Sequence, residues 1–559
     1  MKHIEQIKLN FPLIFTISTI FLIFIYFPLI NVSFIHHDDY RFWHPFDNME
    51  FIESYYMSLG RYLASGIMYL YDLCVVAFPD LAMLRFLTVL AVSLSVSLTV
   101  RYLCYLGVDS LTALFFGIST FLVPAMQIGT QWLITSESIY AIIPSLSAGL
   151  LLVRNGPTGF GNISETKFFL SISFLLLLLG IVTYPASATV FLIPVLLLIL
   201  YTSPTKWKNT RIRVITSIAM FLVAMISFFL LHRFIVLPRL IASGYPTPWI
   251  QDTFAITFDL LPKIKRFVIE VSPLAFNLWN VYTSNLVFYG VVLTIISGAL
   301  LAAIRFVRKQ RALGNTISWV SIAQIVCAVI VLIVGANFHH IFPTEGTVAF
   351  RTVISYSLIV GILFLWSFQH IVKTVLPKGV HTACFRGVVF VVMLGVGLVS
   401  QQNMLNHARN LSLEILYVRA KMSEHLSRYG RLREVHVISA DYPRRDSNIT
   451  YLNHPRGRDY EYLYNSFRDE WTSYVNAIFS DITKERALRM GCSARIAPDS
   501  CRENQIRVFS YEGEGRSPDH LNNEIAGGSP DRLVIDMHWL LPLDTKSPGV
   551  ADLLQKIRR

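Results

Sequence analysis

Eleven stretches of the chain are almost continuously apolar: residues 11–33, 81–100, 111–131, 138–153, 168–182, 186–201, 214–232, 284–304, 317–336, 353–372 and 387–403. Crossing hydrocarbon takes about 20 apolar residues per helix, and a helix satisfies its own backbone hydrogen bonds, as lipid demands. Each stretch therefore predicts a membrane-spanning helix. The run from Tyr62 to Phe78 is nearly as apolar, but it carries Asp72 and abuts Pro79-Asp80. It predicts an interfacial or re-entrant helix instead. Residues 168–201 are too long for one span and break at Thr183-Tyr184-Pro185. Proline there removes an amide donor and disfavours helix just before it, so two helices joined by a tight turn are expected.

Beyond residue 404 the pattern becomes polar and rich in Arg, Asp and Glu. Residues 404–429 predict a helix, Val435-His436-Val437-Ile438 a strand, 457–490 a helical stretch, and Leu533-Val534-Ile535-Asp536-Met537 a second strand. About 155 residues can bury a core of their own. The expected fold class is an all-α polytopic membrane protein of about eleven helices (1–403) carrying a C-terminal extracytoplasmic α/β domain (404–559). No internal repeat is apparent.

Composition agrees: the 559 residues are 53% hydrophobic and 15% charged, with a mean hydropathy of +0.51. Charge placement orients the spans. The segments 1–10, 101–110, 154–167, 202–213, 305–316 and 373–386 hold 16 of the 48 Lys+Arg and 3 of the 36 Asp+Glu, leaving 32 and 33 elsewhere. The net +12 thus resides in loops that the positive-inside rule assigns to the cytoplasm. Counting 62–78 as a span would destroy this bias. A basic chain of this kind reports topology rather than nucleic-acid binding. The amino terminus is then cytoplasmic, and the 34–80 loop and the tail lie outside. The first apolar run is long for a signal peptide and no small-residue cleavage site follows it. Cys74, Cys104, Cys327 and Cys384 lie in or near spans and suit packing; Cys492 and Cys501 in the tail suit a disulfide in an oxidising compartment.

The cytoplasmic loops are short, basic and free of Gly-rich phosphate motifs, so candidate chemistry gathers outside. Between the first and second spans lies His36-His37-Asp38-Asp39-Tyr40-Arg41. Either aspartate could cap a helix. Two adjacent carboxylates also repel, which raises one pKa and suits a general base, and their oxygens could hold a divalent cation. Arg41, Arg61, Arg85 and Arg351 could grip a phosphate with their forked guanidinium groups. For Arg61 and Arg351, snorkelling to headgroups is the competing reading; Arg85, inside the outer end of a span, needs a partner. His339 and His340 with His36 and His37 put four imidazoles outside, a spacing that suits hydrogen bonding to substrate better than metal. Glu137, at a short outer turn, reads as a capping acid. Trp43, Tyr55, Tyr56, Trp132, Trp249 and Trp279 fit an interfacial belt.

An inside amino terminus, one span and an outer loop with paired acids resembles the GT-C class of integral-membrane glycosyltransferases. Asp38-Asp39-Tyr40-Arg41, Gly60-Arg61-Tyr62-Leu63 and Leu84-Arg85-Phe86-Leu87 look most like the bacterial Gtr-type glucosyltransferases that decorate O-antigen. The resemblance covers mainly residues 11–105, with span organisation similar to about 403. It implies sugar transfer, of glucose in that family, outside a bacterial cytoplasmic (inner) membrane from a polyprenyl-phosphate donor to a polysaccharide or lipid-linked glycan, with the tail periplasmic. Asp38 or Asp39 would deprotonate the acceptor, with inversion at the anomeric carbon, and Arg61, Arg85 or Arg351 would bind the lipid phosphate. A divalent cation (Mg or Mn) on Asp38 and Asp39 stays open. A flippase and a donor-synthesising glycosyltransferase would be partners, alongside membrane lipids. Two departures stand out: Arg41 follows Tyr40 directly, where the family pattern has a residue between, and the outer tail is long. A lipid flippase or transporter and an O-antigen polymerase or ligase are the alternatives. The middles of the predicted spans contain no Asp, Glu or Lys, which disfavours ion-coupled transport.

Overall fold

The computed structural model describes residues 10–32, 55–75, 80–157, 163–202, 207–244, 260–279, 284–312, 319–338, 352–377, 380–430, 432, 434–439, 478–479, 507–512 and 532–536. Helix α1 (Phe11–Asn31) opens on Asn10, whose side chain accepts the Leu13 amide at 3.0 Å. Helix α2 (Tyr62–Cys74) has 13 residues. At about 1.5 Å per residue it falls short of the ~30 Å hydrocarbon, in line with a non-spanning segment. Helix α3 (Asp80–Tyr105) packs against α1. Its Ser93, Ser95, Ser97 and Thr99 hydroxyls each donate to a carbonyl one turn back, which satisfies a buried polar stripe within the helix itself.

The third predicted span is bent. Helix α4 (Ser110–Phe121) and α5 (Pro124–Gln131) meet at 65°, because Pro124 can start a helix but cannot donate back into the previous one. A 3-10 turn (Leu133–Thr135) and the single turn α6 (Glu137–Tyr140) lead into α7 (Ile142–Asn155). Helix α8 (Ile163–Thr183) stops before extended Tyr184, and Pro185 begins α9 (Pro185–Ala188). A 3-10 turn (Thr189–Phe191) and α10 (Leu192–Tyr201) follow. The predicted break at 183–185 is present, but the sixth predicted span is a short, interrupted helix.

Helix α11 (Trp207–Leu231) continues through a π-helical segment (His232–Val236) into α12 (Leu237–Ala242), ten residues past the predicted end at 232. A second π segment (Phe267–Val271) joins α13 (Leu260–Arg266) to α14 (Ser272–Phe276). Helices α15 (Asn285–Ala312), α16 (Trp319–Ala336) and α17 (Ile354–Val375) follow. Gly298 lets α15 approach so closely that a Cβ there would meet the Ser367 backbone of α17. Among the described residues nine helices are long and apolar enough to cross a membrane, or ten if the bent α4–α5 pair is one span. The chain is a multi-pass membrane protein.

The last span and the predicted tail helix are one helix, α18 (His381–Tyr429), of 49 residues. At roughly 70 Å it is more than twice the hydrocarbon thickness, so the boundary at 404 falls inside a continuous helix. Gly430, at φ 73°, ends it. Strands β1 (Glu434–Ser439), β2 (Arg507–Glu512) and β3 (Arg532–Asp536) form a parallel sheet in the order β2-β1-β3. Val435 and Ile535 are fully buried in it. Two strands lie where the alternation placed them; β2 is additional.

Candidate functional site

The geometry is richest where Gly60-Arg61 meets the turn after α5. The Gly60 amide donates to the Met57 carbonyl at 3.0 Å and the Arg61 amide to the Tyr56 carbonyl at 2.8 Å, the paired bonds of a helix end with a left-handed glycine, here at φ 71°. A Cβ on Gly60 would lie 2.5 Å from Phe228 Cζ. Both backbone shape and the ring beneath it call for glycine. The turn projects Arg61 from the start of α2.

Arg61 Nη1 donates to Glu137 Oε1 at 3.1 Å, and its guanidinium carbon sits 4.4 Å from the centre of the Tyr184 ring. Glu137 is fully buried while the Arg61 side chain keeps 21% exposure. Burial alone would push the guanidinium's pKa down; Tyr184, Glu137, Tyr55 and Tyr56 outweigh it, and the net shift is upward. Arg61 therefore stays cationic. Of its five N–H donors, one is engaged among the described residues. The result is a partly exposed cation held from behind by a carboxylate and an aromatic face.

Residues 131–137 are gripped from several directions. Arg85, fully buried, donates its Nε–H to the Gln131 carbonyl at 3.1 Å. Tyr56 donates its hydroxyl to the Ile134 carbonyl at 2.6 Å. The Tyr71 hydroxyl donates to Tyr140 at 2.7 Å and lies 3.2 Å from Ser136 Oγ, and Thr88 Oγ1 lies 3.2 Å from the Tyr140 hydroxyl. Burial holds the Tyr71 phenol well above its usual range, so it stays neutral and able to donate. Gln127 of α5 donates to Ser400 Oγ of α18 at 2.9 Å, and Gln401 of α18 donates to the Phe24 carbonyl of α1 at 2.6 Å, so α18 links α5 to α1.

Arg61 and Arg85, separate in sequence, thus converge on one turn. Their placements differ: the Arg61 side chain keeps 21% exposure, whereas Arg85 is fully buried and spends its Nε–H on a carbonyl. Glu137, read as a cap, has its Oε1 on Arg61. Asp38, Asp39, Arg41, His36, His37, His339, His340, Arg351, Cys492 and Cys501 lie outside the described residues. Among the described residues no group of three or more His, Cys, Asp or Glu could hold a metal ion. Sequence reasoning missed Glu137, Tyr184 and Tyr56 as partners of the arginine region. The signal for Tyr184 was present: an extended residue between two helices, fixed by the following proline.

No family model matches the chain, and no curated protein matches it. Among solved structures, it is similar to the crystal structure of the Archaeoglobus fulgidus oligosaccharyltransferase in the apo form, at 14% identity, over 78% of this chain and 63% of that one, with a TM-score of 0.37. The chain thus spans less than two thirds of that protein's length.

Proposed function

We propose that this protein is a GT-C-type glycosyltransferase of a bacterial inner membrane. It moves a sugar, glucose on the family resemblance, from a polyprenyl-phosphate donor to a surface polysaccharide such as O-antigen. The observation that carries the reading is Arg61: a permanently charged fork, pre-set by buried Glu137 and Tyr184, with one of its five donors engaged among the described residues. Such a group suits a phosphate dianion better than a sugar hydroxyl. The segment with Asp38 and Asp39 connects α1 to residues 55–61, so in sequence it leads directly into the arginine turn.

In this mechanism Asp38 or Asp39 takes the proton from an acceptor hydroxyl. The resulting oxygen forms a bond to the anomeric carbon as the bond to the lipid phosphate oxygen breaks, and the configuration inverts. The leaving phosphate carries the negative charge away, and Arg61 neutralises it as it develops. Arg85 fixes the turn that carries Glu137, and through it Arg61. A divalent cation on the aspartates would assist the same charge.

The test is sugar transfer by Asp38→Asn and Asp39→Asn variants at wild-type membrane level. Loss of transfer in at least one supports the base assignment; full activity in both overturns it.

A further inference from the structure

The turn that carries Arg61 rests on a platform 170 residues away in sequence. Phe228 on α11 and His232, which opens the π segment that follows it, lie under it with their rings stacked, centroids 6.0 Å apart and planes 12° from parallel. Phe228 closes the space beneath Gly60. His232 Nδ1 is 2.6 Å from the Tyr62 hydroxyl. The fully buried imidazole therefore meets the residue that follows Gly60-Arg61, while Phe228 lies beneath Gly60 itself. Burial pushes the Tyr62 phenol up to about 12, so the hydroxyl keeps its proton for this contact.

Position 232 opens the π-helical segment. A π segment widens the helix and spoils its regular ladder, and such segments are frequent at functional sites. Helix α11 needs no irregularity to cross the membrane. What the widened turn accompanies is an imidazole in contact with the residue that follows Arg61.

We propose that His232, acting with Tyr62, is a positioning residue for Arg61: it fixes the 58–62 turn so that the guanidinium faces the lipid phosphate of the donor. The inference rests on the phosphate role given to Arg61 above. His232 touches no substrate in this account. Glu137 and Tyr184 hold the guanidinium end of the arginine, and His232 with Phe228 holds its backbone end.

The experiment measures binding of geranylgeranyl phosphate to the purified full-length protein in lipid nanodiscs, together with the unfolding midpoint. Arg61→Gln should abolish binding. Tyr62→Phe, which removes one hydroxyl, and His232→Ala should each weaken it by about two- to tenfold, the equivalent of one neutral hydrogen bond. The double variant should bind no worse than the weaker single, because both act through one bridge. Wild-type binding in Tyr62→Phe and His232→Ala while Arg61→Gln loses it overturns the inference alone. Losses that multiply in the double variant, with the unfolding midpoint falling in step, overturn it in favour of general loosening. Wild-type binding in Arg61→Gln overturns the phosphate reading, and this inference with it. Where His232→Ala does not fold, Tyr62→Phe decides.

Discussion

Within an apolar 18-residue window of each span, 67% of positions are buried inside the protein in the stretch from Leu133 through α7 and 61% in α3; in α15 and α16 the figure is 11% each. The first pair also holds Arg85, Glu137, Ser136, Ser138 and Thr88 at essentially zero exposure. Helices α15 and α16 instead turn Leu286, Leu293, Ile296, Leu300, Val320 and Ile330 outward. Lipid tails are as apolar as leucine, so outward leucines cost nothing there, whereas every buried polar group needs a partner. The amino-terminal half therefore supplies the hub that can hold charge, and α15 and α16 supply perimeter.

Substitutions at the hub and perimeter should separate sharply. The largest effect is expected for Arg85→Ala, which removes a buried cation from the Gln131 carbonyl and leaves a cavity. It should cost about 3–5 kcal/mol, read as the drop in unfolding free energy in detergent. Glu137→Gln should come next, at about 1.5–3 kcal/mol for a lost charge-assisted bond, with donor affinity falling as Arg61 loses its anchor. Gly60→Ala should cost about 1–2 kcal/mol, since the left-handed turn and Phe228 both oppose a Cβ. On the perimeter, a Cβ added at Gly290 would meet nothing within 4 Å, and Gly290→Ala should raise stability by about 0.5–1 kcal/mol through helix propensity. Leu293→Ala, at 63% exposure, should stay within about 0.5 kcal/mol. Equal costs at Gly60 and Gly290 would erase the distinction between hub and perimeter.

Much of this division was legible in the sequence. Apolar runs located the spans because lipid imposes the same length and composition on each. The break at Thr183-Tyr184-Pro185 was visible because proline acts locally. The bend before Pro124 was open to the same argument, yet an unbroken apolar run hid it. The π-helical segment at His232–Val236 leaves no periodic trace, since inserting one residue in a uniformly apolar helix moves no hydrophobic face. Residues 404–429 read as a separate helix because polarity changes at 404, but the backbone of α18 is indifferent to that change.

For the site, the arginines were legible as charges near a membrane boundary, and their partners were not. Glu137 is 76 residues from Arg61, and a lone Glu at a helix start has an ordinary local use as a cap. Arg85 looked available for a ligand because its sequence neighbours are apolar; tertiary structure gives it a backbone carbonyl instead. Pairings of this sort depend on which helices meet, and apolar spans carry little information about that.

The central claim is that Arg61 is a phosphate-binding group in lipid-linked sugar transfer. The most direct measurement is the sugar composition and linkage of the surface polysaccharide in host cells lacking the protein, complemented with wild type or with Arg61→Gln at equal membrane level. The account predicts that one sugar substituent disappears without the protein, returns with wild type and does not return with Arg61→Gln. A polysaccharide unchanged by loss of the protein, or fully restored by Arg61→Gln, would contradict it.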